Sequence, residues 1–398
     1  MWRFWFTLPL YPYQQRRTLR TEVVPGMVWT FEQLHGILYA IVPIRMTIIK
    51  LETGGLLVYA PVAPTLECLR LVEELVAAHG EVRHILLPTS SGLEHKVFVG
   101  PFARCFPQAQ VWVAPNQWSF PVNLPLTWLG FPGDRTHVLP DDSSQTPWGD
   151  ELDYAILDFN LGRGSFAEVA VFHRRSRTLL LTDSILSVSD DPPAIAQLDP
   201  YPLLFHARET ALEPMQDSVA NRRKGWQRIA LFATYFRPSP LQTVNFKQAI
   251  QDALKSPERS PKAYFGFFPF RWQNNWQQSF DALRGQGRPF VAPILQALIL
   301  IQAPRQVLRW ADRVAQWDFQ QIIPCHFDAP ISTTPKQFRQ AFAFLEADCH
   351  PEQTFPQLEH PLPAEDLAFV KSLEASLRKR GIATAPRELD QSLPDARR

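Results

Sequence analysis

Along the first part of the chain, short apolar runs alternate with one clear helical period. Leu56-Leu57-Val58-Tyr59 is too short for a helix and predicts a buried strand. From Pro64 to His79 the period changes: Leu66, Leu69, Val72, Leu75 and Val76 share one helical face, and Glu67, Arg70, Glu73 and Glu74 fall elsewhere. Pro64 suits a first turn and Gly80 a stop. Ile85-Leu86-Leu87 predicts a second strand, which stops at Pro88 and opens into the polar loop Thr89-Ser90-Ser91-Gly92-Leu93-Glu94-His95-Lys96. Strand, helix and strand in this order form a βαβ unit. The loop then lies at the carboxyl end of a parallel strand, where α/β sheets hold ligands. Position alone makes Glu94 and His95 candidates for chemistry.

Further along, Gly36 to Pro43 and Met46 to Leu51 read as paired strands, Pro101 to Phe106 as a short helix and Val111 to Ala114 as a strand. Pro115 to Pro147 is an aromatic, proline-rich connection long enough to form a wall or lid. Glu168 to Phe172 and Thr178 to Leu181 predict a hairpin through the basic turn His173-Arg174-Arg175-Ser176-Arg177, ending at Thr182-Asp183. Helical periods follow at Gln216 to Tyr235, Leu241 to Leu254, Phe290 to Ile301 and Arg305 to Trp317. Gln320 to Pro324 returns to strand character and ends at Cys325-His326-Phe327-Asp328. Helices are expected again around Pro335 to Ala347 and Ala364 to Arg380. The implied organisation is an N-terminal aromatic arm (1–35), a first α/β part (36–183), a helical insertion (184–319), a last strand with C-terminal helices (320–383) and a disordered tail (384–398).

Composition narrows the function classes. With 40 basic against 39 acidic side chains the net charge is +1, so no overall field recruits nucleic acid. The 37 prolines against 17 glycines favour stiff connections. Cys68, Cys105, Cys325 and Cys349 are widely spaced and read as buried free thiols in a reducing compartment, which points to the cytoplasm. No apolar stretch reaches the roughly 18 residues of a membrane helix. The run Met1 to Leu10 lacks a cleavage site; it either packs its Trp and Phe on the protein or rests weakly on a bilayer surface.

Three apolar runs thus end in metal-capable residues: Glu94-His95, Asp183 and His326. With the run from Ile85 to Pro115 and Ser176-Arg177-Thr178-Leu179-Leu180-Leu181-Thr182-Asp183, they resemble the metallo-β-lactamase-fold hydrolases, and more closely a branch of unknown function from photosynthetic organisms. The resemblance covers roughly Leu38 to Pro330. It implies an αββα sandwich with metals at one edge, held by T-H-x-H-x-D-H after a strand, a further histidine, an aspartate closing a G-D pair and a late P-x-H. Thr89 matches the leading threonine, but the first two histidine positions fall on Ser90 and Gly92, and the middle histidine is missing near Gly164. Glu94 stands for the aspartate; His95, Asp183 and Pro324-Cys325-His326 match. The first metal site is therefore lost, while Glu94, His95, Asp183 and His326 remain for a second, suited to one zinc, iron or manganese ion.

On that resemblance the first expectation is a single-metal hydrolase of a small ester, amide or phosphoester. Asp183 and Glu94 would be its catalytic groups, as ligand and base. The alternative is a non-catalytic scaffold that binds a protein partner, with His95, Asp183 and His326 as hydrogen-bonded loop anchors; convergence favours the first and mutual salt-bridging the second. Other candidates have plainer explanations. The His173 to Arg177 turn and the run Arg222-Arg223-Lys224 with Trp226 and Arg228 fit anion binding but also solvated surfaces. The cluster Phe265 to Trp272 fits a pocket or core, and Glu168 is a substitute ligand for the missing histidine.

Overall fold

The computed structural model describes residues 10–11, 16–90, 94–119, 123–162, 164–346 and 362–379. Its first sheet contains β1 (Leu10–Tyr11), β2 (Leu19–Val24), β3 (Val28–Ile37), β4 (Ala40–Lys50), β5 (Leu56–Tyr59), β6 (Val82–Leu87), β7 (Gln110–Val113) and β8 (Thr136–Val138). The order is β1-β3-β4-β5-β6-β7-β8, with β2 added on β3. β3, β4 and β5 run antiparallel and β5 to β8 parallel, as the βαβ pattern requires. The second sheet contains β9 (Leu152–Asn160), β10 (Ser165–His173) and β11 (Thr178–Leu181), and a late part of the chain completes it. After β11 come α-helices and one short strand pair, β12 (Leu241–Thr243) with β13 (Phe270–Trp272). β14 (Gln321–Pro324) then pairs parallel with β11, and β15 (Ile331–Ser332) closes the edge.

The layers follow from which faces are apolar. Ile49, Leu57, Tyr59 and Leu86 of the first sheet meet Tyr154, Val169, Leu180 and Ile323 of the second in a shared core. β10, between this core and the outer helices, is buried along its whole length. On the outside of the first sheet, α1 (Leu66–His79) and α2 (Lys96–Cys105) cover Phe31, Met46, Ile85 and Val111. α3 (Ala194–Gln197), α4 (Tyr201–Ala207), α5 (Val219–Tyr235), α6 (Phe246–Lys255), α7 (Trp276–Arg284), α8 (Pro293–Leu298) and α9 (Pro304–Val314) lie between β11 and β14, and α10 (Pro335–Gln340) and α11 (Ala364–Lys379) follow. Val307 and Ala311 of α9, with Phe338 of α10, cover Ala155, Leu179 and Ile322. This is the expected αββα sandwich. Leu203, Phe205, Trp226 and Ile229 form a further core with Tyr39 and Ile41, which ties the inserted helices to one end of the β3–β4 hairpin.

Several elements differ from the sequence reading. The strands expected at 36–43 and 46–51 belong to one longer hairpin, β3–β4, whose turn sits at Leu38 and Tyr39, both left-handed with φ of 52° and 61°. Arg45 misled the pattern, because a cation in mid-strand reads as a break although this one is 1% exposed. Residues 19–35, expected in the arm, supply β2 and most of β3. The helix expected from Pro64 starts at Leu66, capped by Thr65. The one expected from Leu241 divides into β12 and α6 at the Asn245 cap. β9 was missed because Asp153 and Asp158 dilute its apolar run. Cys105 is exposed, while Cys68 and Cys325 are buried. Cys349, the stretch Met1 to Pro9 and the tail after Lys379 lie outside the described residues.

The helices between β11 and β14 depend on a close crossing. A Cβ on Gly225 of α5 would stand 1.8 Å from the Leu203 carbonyl oxygen of α4, and backbone cannot swing aside as a side chain can. Gly225→Ala should therefore cost about 3 kcal/mol, read as a lower urea midpoint. An unchanged midpoint would contradict this crossing.

Candidate functional site

Three strand ends meet at one edge of the sandwich. In the parallel β11–β14 pair Leu181 stands opposite Pro324, so Asp183 and His326, each two residues on, leave the sheet side by side. Thr89, after β6, bridges to Glu168 of β10, and the Val169 amide donates to the Pro88 carbonyl at 2.8 Å. The loop with Glu94 and His95 is thereby held against the second sheet. Ser91, Gly92 and Leu93 lie outside the described residues.

Of the four residues singled out from the sequence, three are closely arranged. His326 Nε2 lies 2.9 Å from Asp183 Oδ1, and its Nδ1 faces the Pro43 carbonyl at 3.1 Å. The His95 ring centroid is 6.0 Å from that of His326, and its Nδ1 faces the Pro61 carbonyl at 3.2 Å. Because carbonyls only accept, both rings carry Nδ1–H. The buried Nε2 of His95 has no hydrogen-bond partner among the described residues. Glu94 is half-buried, and its charge acts on His35, His95 and His326.

The two imidazoles have opposite electrostatics. Burial alone would lower the His326 pKa, but the Asp183 hydrogen bond and charge more than offset it and raise the pKa above the ordinary value. Burial likewise opposes ionisation of Asp183, yet the bond from His326 and the two histidine charges hold its carboxyl low. His95 lacks such a partner, and burial together with the His326 charge pulls it down to about 4.

Sequence reasoning missed the groups that build this edge. The Arg45 guanidinium donates to the carbonyls of Pro324 and Phe327, each at 2.5 Å, and is neutralised by Glu32, so it grips the turn that carries His326 from both sides. Glu168, considered as a substitute ligand, instead accepts from the Thr182 amide at 2.9 Å, the Ser184 amide at 3.0 Å and the Ser184 hydroxyl at 2.9 Å, bracketing Asp183. Burial and the Asp183 charge push Glu168 up to about 7. His35, expected in the arm, lies on β3 and accepts from Arg16 at 3.0 Å. Short-range pattern carries no signal for these long-range pairs.

Around Ser90 and Gly164, where the resemblance places a first metal site, the loops make their own contacts. The buried ammonium of Lys96 donates to the carbonyls of Ser90 at 2.9 Å and Trp118 at 2.6 Å. The Ser90 hydroxyl donates to Ser165 at 3.1 Å. The Trp118 indole packs on Gly164, near which the resemblance expects the middle histidine: a Cβ there would lie 3.0 Å from its ring. Burial pulls Lys96 down to about 8, so it keeps its proton at neutral pH. The loops at positions 90, 118 and 165 are thus joined by one cation and a few hydrogen bonds.

The remaining candidates are engaged elsewhere. His173 is buried against the Ser176 hydroxyl, and Arg174, Arg175 and Arg177 pair with Asp153, Glu52 and Asp318. Arg222, Arg223, Lys224 and Arg228 pair with Asp217, Asp191 and Glu209, and the Trp226 indole donates to the Ser189 carbonyl. Phe268, Phe270 and Trp272 are core, whereas Phe265 is exposed.

The donor set does not fit a metal as it stands. Among the described residues no three His, Cys, Asp or Glu side chains are grouped so as to hold an ion. The His326 nitrogen and Asp183 oxygen that would face one are bonded to each other.

The raised His326 pKa adds stability that is present at low pH and lost as pH rises through the folded-state value. The lowered His95 pKa removes stability as pH falls from its unfolded value towards about 4. Removing the carboxylate with Asp183→Asn should therefore lower the His326 pKa, measured by NMR of the ring, and leave His95 neutral at mildly acidic pH. An unmoved His326 titration would contradict the pairing.

No curated protein matches the sequence. Among solved structures, the DIM-1 metallo-β-lactamase is 9% identical, with 83% of this chain and 98% of that chain aligned at a TM-score of 0.39. A metallo-β-lactamase from Pontibacter korlensis is 12% identical over 47% of this chain and 83% of its own, at 0.33. The Flv1 flavodiiron core from Synechocystis sp. PCC6803 is 9% identical over 83% and 61%, at 0.41. At such scores the fold stands on the chain's own layers and strand pairings. Residues 25–344 match the family described as Domain of unknown function (DUF4336), and the chain belongs to that family.

Proposed function

We propose that this protein is a non-hydrolytic scaffold of metallo-β-lactamase-like architecture, in which hydrogen bonds and buried cations replace the metal centre and function lies in binding a partner. The observation that carries this reading is the His326–Asp183 bond, which closes the two best remaining ligand atoms on each other. Lys96 and Trp118 support it, because they cross-link the loops that a first-site ion would otherwise join. Arg45 and Glu168 support it further, since they fix Asp183 and His326 through backbone contacts that need no ion. Buried polar groups bonded to one another in this way rigidify a fold without performing chemistry.

A second reading is favoured by one specific observation, the buried His95 Nε2 that lacks a partner among the described residues. In that reading Glu94, His95, Asp183 and His326 hold one zinc, iron or manganese ion, and the protein hydrolyses a small ester, amide or phosphoester with Asp183 and Glu94 as its catalytic groups.

Metal content by mass spectrometry, on untagged protein before and after reconstitution with zinc, iron or manganese, separates the two. The scaffold reading predicts far less than one ion per chain, unchanged in His95→Ala and His326→Ala. About one ion per chain, lost in both folded variants, would overturn it in favour of the hydrolase.

A further inference from the structure

Helix α6 presents its large apolar residues outward. Ala249 and Ala253 lie on its inner side, Ala249 buried and Ala253 half-buried, while Phe246 is 70%, Ile250 43% and Leu254 67% exposed. These three stand at i, i+4 and i+8, one above another on a single face. A helix that only needs to cover a core turns its large side chains inward.

A second feature points the same way. The turn packed against the end of α6 holds Tyr264 and Phe265 in the left-handed region, with φ of 50° and 57°, a costly conformation for residues of this size. Tyr264 is half-buried against the core beside Tyr39 and Phe205, but Phe265 is 58% exposed. In this conformation the Phe265 ring is exposed near the end of α6. Gly266 lets the turn approach α6 closely, since a Cβ there would meet the Ala253 carbonyl at 2.6 Å.

The charge around the row is positive. Between Asn245 and Lys262 the chain carries Lys247, Lys255, Arg259 and Lys262 against Asp252 and Glu258. Asp252 and Glu258 bond neutral partners, Gln248 and Tyr201 with Ser260, and keep their charge, while Lys262 faces Asp199 at 4.0 Å; the surplus is therefore small and rests on Lys247, Lys255 and Arg259. Lys247 and Lys255 are exposed on the polar side of α6.

We infer that Phe246, Ile250, Leu254 and Phe265, bordered by Lys247 and Lys255, form a docking surface for an anionic lipid bilayer. The inference does not depend on what the His326–Asp183 edge does. An apolar row that protrudes, flanked by lysines, suits the boundary between headgroups and acyl chains, where side chains enter and ammonium groups stay with phosphates. A second copy on the same face would bring two sets of cations together.

The test is flotation of the full chain with phosphatidylglycerol–phosphatidylcholine vesicles and with phosphatidylcholine alone. Wild type should float with the anionic vesicles and be released by salt. Ile250→Gln with Leu254→Gln should reduce partitioning about tenfold or more, and Lys247→Gln with Lys255→Gln about fivefold per lysine, with circular dichroism unchanged. The inference fails if wild type does not float, or if it floats equally well after the apolar substitutions. It fails also if light scattering shows a dimer that those substitutions dissociate, which would assign the row to a second copy.

Discussion

The edge of this sandwich depends on how backbone carbonyls at strand ends find positive partners. The ends of β6, β11 and β14 converge with their carbonyls and acids together, and such groups cannot be left unpaired away from water. Lys96 answers this on one side, with its ammonium on the carbonyls of Ser90 and Trp118. Arg45 answers it on the other, with its guanidinium on those of Pro324 and Phe327. A lysine is a compact point charge and an arginine a planar fork. Each suits its place: two converging loops for the first, two carbonyls of one turn for the second.

Between these cations the acids are arranged in pairs. Asp183 stays ionised beside His326, and Glu168, deeper and close to the Asp183 charge, is pushed up to about 7. Two buried carboxyl groups in one neighbourhood separate in this way because like charges resist joint ionisation. The Thr182–Ser184 turn held by Glu168 then sets the direction of Asp183. The histidines of this network are oriented by carbonyls of Pro61 and Pro43, where proline also limits the backbone.

The sequence revealed this edge through its strands. The βαβ unit and the hairpin ending at Asp183 were legible because apolar runs there stop sharply at polar residues. The parallel pairing of β11 with β14, which brings His326 beside Asp183, joins segments far apart in the chain. Arg45 and Lys96 were not legible, because a cation in a strand or at a loop end looks solvated until its long-range carbonyls are known. His35 was missed with β3, whose Thr30, Glu32 and Gln33 interrupt the apolar alternation. The exposed row of α6 was hidden for the opposite reason: its period is that of any amphipathic helix, and only the fold shows which side faces out.

On the proposed reading, the charged side chains of Lys96 and Arg45, rather than a metal ion, hold this edge together. The most direct measurement is thermal unfolding of wild type and Lys96→Met, each in chelator and in excess zinc. The account predicts one melting temperature for wild type in both conditions, and a lower one for Lys96→Met that zinc does not restore. A clear rise of the wild-type melting temperature in zinc, or an unchanged one in Lys96→Met, would contradict it.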